Sequence, residues 1–209
     1  MKRIGITGSS GTIGAVLQEG LGAAGYDITG YDREVGSAPT TVVDLSRAEE
    51  VRGLFDGLDA VIHLAGASIA GRFTEAHRAA IRDSRIEPTR KLAVAATAAP
   101  DGPRVFISAS AVGVYGYDRG DTPLTEDSSH GGGFLADVVT DWEAATAPAV
   151  DAGLRVVTVR TGIVQAAAGG TLRLLRPWWH PARRPALPAR HEQRHGGAED
   201  SRPSRRAAR

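Results

Sequence analysis

Short apolar runs alternate with amphipathic stretches over about the first 165 residues. Arg3–Thr7 is apolar and bounded by glycine, as a buried strand would be. Gly11–Ala24 then places Ile13, Leu17 and Leu21 four apart, on one face of a helix that Gly25 ends. Asp27–Tyr31 and Thr41–Val43 predict the next two strands, and Ser46 is placed to cap a short helix over Arg47–Phe55. Ala60–Ala65 reads as a strand buried on both faces. Thr74–Ile86 is helical, with Thr74 at its N-cap. Pro88 interrupts and then occupies the first turn of a helix over Thr89–Ala99. Arg104–Ser108 and Leu154–Arg160 predict a fifth and a sixth strand, with a helix over Leu135–Ala147 between them.

Strands alternating with helices imply an α/β fold with a parallel sheet covered on both faces. Composition adds a division to that picture. The 42% apolar and 23% charged residues are ordinary for a globular chain, but the net charge of +1 is uneven. Residues 172–209 carry ten Arg against Glu192, Glu199 and Asp200, a net +7, which leaves residues 1–171 at −6. That tail holds five Pro and no Val, Ile, Phe or Tyr, so it supplies neither strands nor a core. The expected organisation is a folded domain at 1–165 and an irregular, disordered Arg/Pro-rich tail at 166–209. The chain has no cysteine, which excludes disulfides and thiolate metal sites and fits a cytoplasmic protein. No apolar run is long enough to span a membrane, and a strand starting within three residues of Met1 leaves no room for a signal peptide.

The chemistry begins at Thr7-Gly8-Ser9-Ser10-Gly11-Thr12-Ile13-Gly14. Gly8 and Gly11 remove side chains that would keep a phosphate from the backbone, and Gly14 lets the helix pack closely on the strand. The helix N-terminus adds free N–H groups and the positive end of its dipole. This turn follows a strand and opens a helix, the context a dinucleotide site requires; the plain alternative is a tight turn without a ligand. The sheet is therefore expected to be Rossmann-like and doubly wound. Asp32 lies 18 residues after Gly14, where an acid can accept from the ribose 2′-OH of NAD. Arg33 follows it and can pair with the 2′-phosphate of NADP instead. Asp44 can reach an adenine edge or cap the next helix. His63-Leu64-Ala65-Gly66 ends the fourth strand at the sheet edge where ligands bind; Ala65 and Gly66 keep that edge low, and His63 suits packing better than catalysis. Ser108-Ala109-Ser110 and Gly113-Val114-Tyr115-Gly116 end the fifth strand at the same edge. Their hydroxyls can hold a substrate oxygen or be turn residues.

These motifs together resemble the extended short-chain dehydrogenase/reductases, the NAD-dependent epimerase/dehydratase family. Ile81-Arg82-Asp83-Ser84-Arg85, Ser108–Gly113, Leu124-Thr125-Glu126-Asp127 and Phe134-Leu135-Ala136 with Asp141-Trp142-Glu143 are similar to an atypical branch of it, the sugar-nucleotide-epimerase-like proteins. The resemblance covers about residues 1–165. It implies a dinucleotide cofactor and hydride-transfer or epimerase activity on a sugar nucleotide or small carbonyl substrate. The branch mostly carries an Arg after the second strand, so Arg33 tilts the expectation toward NADP, while Asp32 keeps NAD open. The implied cofactor site comprises Gly8, Gly11, Thr12, Ile13 and Gly14 for the pyrophosphate, Asp32 and Arg33 for the ribose end, Asp44 and Leu45 for the adenine, and Leu64, Ala65 and Gly66 along its flank. Ser110 and Tyr115 are the candidates nearest the chemistry.

Two departures qualify this. The Tyr-x-x-x-Lys pair that exchanges protons in the wider family is missing. The only lysines are Lys2 and Lys91, Glu87 stands four residues before Lys91, and the expected helix offers Leu135 and Val139. A cofactor-binding module without turnover is therefore a rival reading. The text after about Gly170 also departs from the family's substrate lobe and resembles a shifted reading frame, so a truncated product is a third expectation. A basic arm for nucleic acid is the less favoured account of the tail.

Overall fold

A computed structural model describes residues 2–34 and 40–166. The chain divides into a unit at Met1–Arg173 and another at Leu174–Arg209, and the tail expected at 166–209 lies, apart from Ala166, outside the described residues.

Six strands form one sheet in the order β3-β2-β1-β4-β5-β6, with every neighbouring pair parallel. They are β1 (Arg3–Thr7), β2 (Asp27–Asp32), β3 (Thr40–Val42), β4 (Ala60–His63), β5 (Val105–Ala111) and β6 (Arg155–Thr161). This is the doubly wound Rossmann-like order, which reverses between β1 and β4 and opens a crevice there. A two-residue strand, β7 (Gln165–Ala166), follows.

The helices bury opposite faces of the sheet. Helix α1 (Thr12–Ala23) sets Leu17 and Leu21 on Ile4, Ile6 and Ile62. On the other face Tyr31, Phe55, Val61, Leu92, Ala96 and Phe106 form the larger core. That core draws on α4 (Ile86–Ala98) and α6 (Ala147–Asp151). Ile6, Val61, Leu92 and Phe106 are among the apolar positions that are completely buried, each contributing about 1.5–3 kcal/mol of burial free energy.

Several boundaries differ from the sequence expectation for local reasons. The helix expected over 47–55 is one turn, α2 (Ala48–Val51). Gly53 and Gly57 turn the backbone at φ 72° and 69°, outside helical space. Ser46 does not cap it; its N–H and hydroxyl both donate to Asp44 Oδ1 at 2.9 and 2.7 Å. Thr74 does cap α3 (Glu75–Asp83), accepting from His77 N at 3.2 Å. That helix stops before Ile86, and Pro88 does not interrupt: α4 starts two residues ahead of it, so the proline sits in a first turn that needs no N–H from it. The helix expected over 135–147 ends three residues early, as α5 (Phe134–Ala144), and a separate short α6 follows with Pro148 in its first turn, where no N–H is needed from it. β5 runs three residues past Ser108. Phe106, Ser108 and Ser110 alternate inward along it, so the serines are strand residues and not turn residues.

Candidate functional site

The crevice where the strand order reverses is a cavity of about 580 Å3. Nine of the residues singled out from sequence line it: Gly8, Gly11, Asp32, Arg33, Asp44, Leu45, Leu64, Ala65 and Gly66. Thr12, Ile13 and Gly14 form the first turn of α1 beside it. Ser110 and Tyr115 are not among its lining residues.

The floor is shaped for a group larger than water. Gly8 adopts φ 71°, and a Cβ there would stand 2.8 Å from Ala65 N. A Cβ on Gly14 would stand 2.3 Å from the Gly8 carbonyl oxygen. These two glycines let β1, β4 and α1 converge. Gly8 N donates to Tyr31 O at 2.9 Å, which fixes the turn to the end of β2. No side chain caps α1, so the N–H groups of its first turn and its positive dipole end are presented to a ligand. The residues present thus fit a dinucleotide pyrophosphate.

The ribose end carries both expected charges. Asp32 Oδ2 accepts from Ser10 N at 3.1 Å and from Ser10 Oγ at 2.5 Å, and Asp32 Oδ1 accepts from Arg33 N at 2.9 Å. The Arg33 side chain is exposed and, among the described residues, forms no salt bridge. Asp44 faces the same cavity, with its carboxyl held below its ordinary range by the Ser46 hydroxyl and N–H, and further by Arg47 and Arg33. Asp44 N donates to Glu50 Oε2, so this loop is closed onto α2.

The loop after β4 is held from behind. Arg85 donates to Ala67 O at 2.9 Å and to Ile81 O at 3.0 Å, and stacks over Trp142 with 5.3 Å to the ring centroid. Burial lowers its pKa from the ordinary value. His63 is fully buried, between Thr7 Oγ1 at 2.6 Å and Thr89 Oγ1 at 3.0 Å, and Trp142 Nε1 donates to the same Thr89 hydroxyl at 2.9 Å. Desolvation, with Arg85 nearby, takes the imidazole from the ordinary 6.5 to about 4, so it is neutral at pH 7. It is a core histidine.

Ser110 and Tyr115 meet in a second cluster whose other members sequence reasoning missed. Ser110 Oγ donates to Glu143 Oε1 at 2.5 Å. Arg160 pairs with both Glu143 oxygens at 2.9 Å, and also donates to Tyr115 Oη and Glu126 O at 3.0 Å and to His130 Nε2 at 3.3 Å. All five guanidinium N–H groups are thereby used. Tyr115 Oη donates onward to Thr125 O at 3.0 Å. The Arg160 hydrogen bonds hold the Glu143 carboxyl below its ordinary range, and Glu143 in turn raises Arg160. The signal for this pair is the register that sets Ser110 opposite Arg160, which spacing along the chain does not reveal. Val139, at one of the two positions where Tyr and Lys were missing, packs with Val114 and Tyr115.

A further apolar cavity of about 520 Å3, lined by Val51, Val94, Ala95 and Ala98 among others, lies toward the C-terminal end of α4 and holds none of the candidates. Among the described residues there is no cluster of metal-ligating side chains, and no helix is long and apolar enough to cross a membrane.

Comparison with known proteins agrees with this geometry. The sequence profile of the NAD dependent epimerase/dehydratase family matches residues 4–160. An epimerase family protein of Mycobacterium bovis is 43% identical over 180 residues, covering 83% of this chain and 58% of the relative. The chain therefore spans less than two thirds of such relatives. The crystal structure of a nucleoside-diphosphate sugar epimerase from Corynebacterium glutamicum is 40% identical with a TM-score of 0.71, over 85% of this chain and 37% of that one. Human epimerase family protein SDR39U1, solved with NADPH, is 30% identical with a TM-score of 0.72, over 84% of this chain and 59% of that one. With its β1-to-α1 glycine turn, its sheet order and this match running from β1 to β6, the chain belongs to the NAD dependent epimerase/dehydratase family.

Proposed function

We propose that this chain binds NADP at the β1/β4 crevice and serves an epimerase-type or oxidoreductase reaction on a sugar nucleotide or small carbonyl compound. The observation that carries the reading is the uncapped first turn of α1 opening on a cavity whose floor only glycine fits. The N–H groups around Gly8, Gly11, Thr12, Ile13 and Gly14 hold the pyrophosphate. Arg33 pairs with the 2′-phosphate, and Asp44 and Leu45 border the adenine. Leu64, Ala65 and Gly66 lie along the flank of the cofactor, which when bound supplies a hydride donor or acceptor. Arg85 keeps that flank in place through Ala67 O. Ser110 and Tyr115 are the groups proposed to hold or move a proton on the substrate oxygen. Each would first exchange a protein partner, Glu143 or Thr125 O, for the substrate.

A second reading is a cofactor-binding module without turnover. It is favoured by those same engaged hydroxyls and by the hydrophobic packing of Val139 where the family's proton-transfer pair is expected. One experiment separates the two. NADPH is titrated into the protein, and the complex is then offered a panel of sugar nucleotides and carbonyl compounds. Binding with turnover of a panel member supports the first reading, and binding without turnover supports the second. Absence of binding overturns both.

A further inference from the structure

The acid at the end of β2 is not presented to the crevice as a free carboxylate. Ser10, the residue before Gly11 in the glycine turn, donates both its N–H and its hydroxyl to Asp32 Oδ2. Arg33 N takes Asp32 Oδ1. A carboxylate offers about four lone-pair sites, and three are filled from within the chain. The Ser10 hydroxyl bond runs to a charged acceptor, and charge-assisted bonds are the stronger kind. An acid that reads a ribose 2′-OH must accept from it, and this one, though it borders the crevice, has one such site left.

We infer that Ser10 sets the cofactor preference of this site: by holding Asp32 against the glycine turn, it withdraws the acceptor that NAD would use and leaves Arg33 to receive the 2′-phosphate of NADP. The inference rests on the dinucleotide reading above and deepens it. Ser10 is a positioning residue acting through Asp32. Three donors on the carboxylate also offset the repulsion a 2′-phosphate would meet beside it. Removing the hydroxyl leaves two backbone bonds, from Ser10 N at 3.1 Å and Arg33 N at 2.9 Å, and frees a site on Oδ2 for the ribose.

The test compares dissociation constants for NADPH and NADH, read by nicotinamide fluorescence, in the full chain and in Ser10→Ala, Ser10→Thr, Asp32→Asn and the Ser10→Ala/Asp32→Asn pair. Both cofactors share the pyrophosphate, so a merely distorted loop weakens them equally and leaves their ratio unchanged. The expected result is a preference for NADPH in the parent that falls at least about fivefold in Ser10→Ala and is kept in Ser10→Thr. In the Asp32→Asn background the serine substitution changes nothing further. A parent that prefers NADPH while Ser10→Ala keeps the ratio within twofold overturns the inference and spares the NADP assignment. A ratio that falls as much in Asp32→Asn/Ser10→Ala as in Ser10→Ala alone overturns it too, because the serine would then act without the acid. A parent that binds neither cofactor, or prefers NADH, overturns the underlying reading as well. If Ser10→Ala does not fold, the Asp32→Asn protein decides: an acid already withdrawn leaves NADH binding within twofold of the parent, which supports the inference, and NADH binding weakened beyond that overturns it.

Discussion

A Cβ on Gly14 would sit 2.3 Å from a carbonyl oxygen, so the first helical turn of this chain tolerates no side chain there. Gly14→Ala is expected to destabilise the fold by about 1–3 kcal/mol, the usual cost of overpacking, and to weaken NADPH binding more than tenfold. Chemical denaturation and a cofactor titration check the two effects separately. Such positions are legible in sequence because a glycine turn between a strand and a helix is local. Asp32 and Arg33 are legible for the same reason, but the Ser10 contact that decides between them spans a 22-residue separation and is not. His63 makes a different prediction. Its pKa is lowered to about 4 in the folded chain, so the unfolded chain binds a proton that the native one does not. Stability from the neutral imidazole is present above pH 6.5 and is lost as pH falls from there toward 4. His63→Asn keeps a polar group and removes the titration. Its unfolding free energy from urea titration should fall less between those pH values, by up to about 1.4 kcal/mol per pH unit.

Between elements, the Glu143–Arg160 pair joins α5 to β6 and gathers the 115–130 segment through Tyr115, Glu126 and His130. Both side chains are mostly buried, at 14% and 16% exposure, so removing one strands the other. Glu143→Gln or Arg160→Met is expected to cost about 2–4 kcal/mol. The double variant should lose less than the sum, with a coupling of about 0.5–3 kcal/mol in a denaturant double-mutant cycle. Sequence showed Ser110 and Tyr115 but not these partners, which lie 33 and 45 residues away across strand register. Element boundaries were legible where one residue acts alone, as Thr74 does at the start of α3. They were misplaced where two signals compete. The helix read over 135–147 stops at Ala144, with Pro148 in the first turn of the separate α6, and Gly53 ends α2 before its apolar pattern does.

For the molecule as a whole, the alternation of strand and helix patterns made a parallel, doubly covered sheet legible before any coordinates, because each period reports which face is buried. The strand order was legible only through the glycine turn and the family resemblance, not through the apolar pattern, and it is the order that places the β1 glycine turn and the β4 flank on one crevice. A ligand held there touches both sides of the switch point. NADPH at a hundredfold excess over its dissociation constant should therefore stabilise the fold by about 2.7 kcal/mol, seen as a raised melting temperature. The central claim is that this crevice is a dinucleotide site, and a titration of NADPH followed by nicotinamide fluorescence, run beside the Gly14→Ala variant, tests it most directly. Saturable binding in the parent that collapses in the variant is the predicted result. No saturable binding in the parent, or equal binding in both proteins, would contradict it.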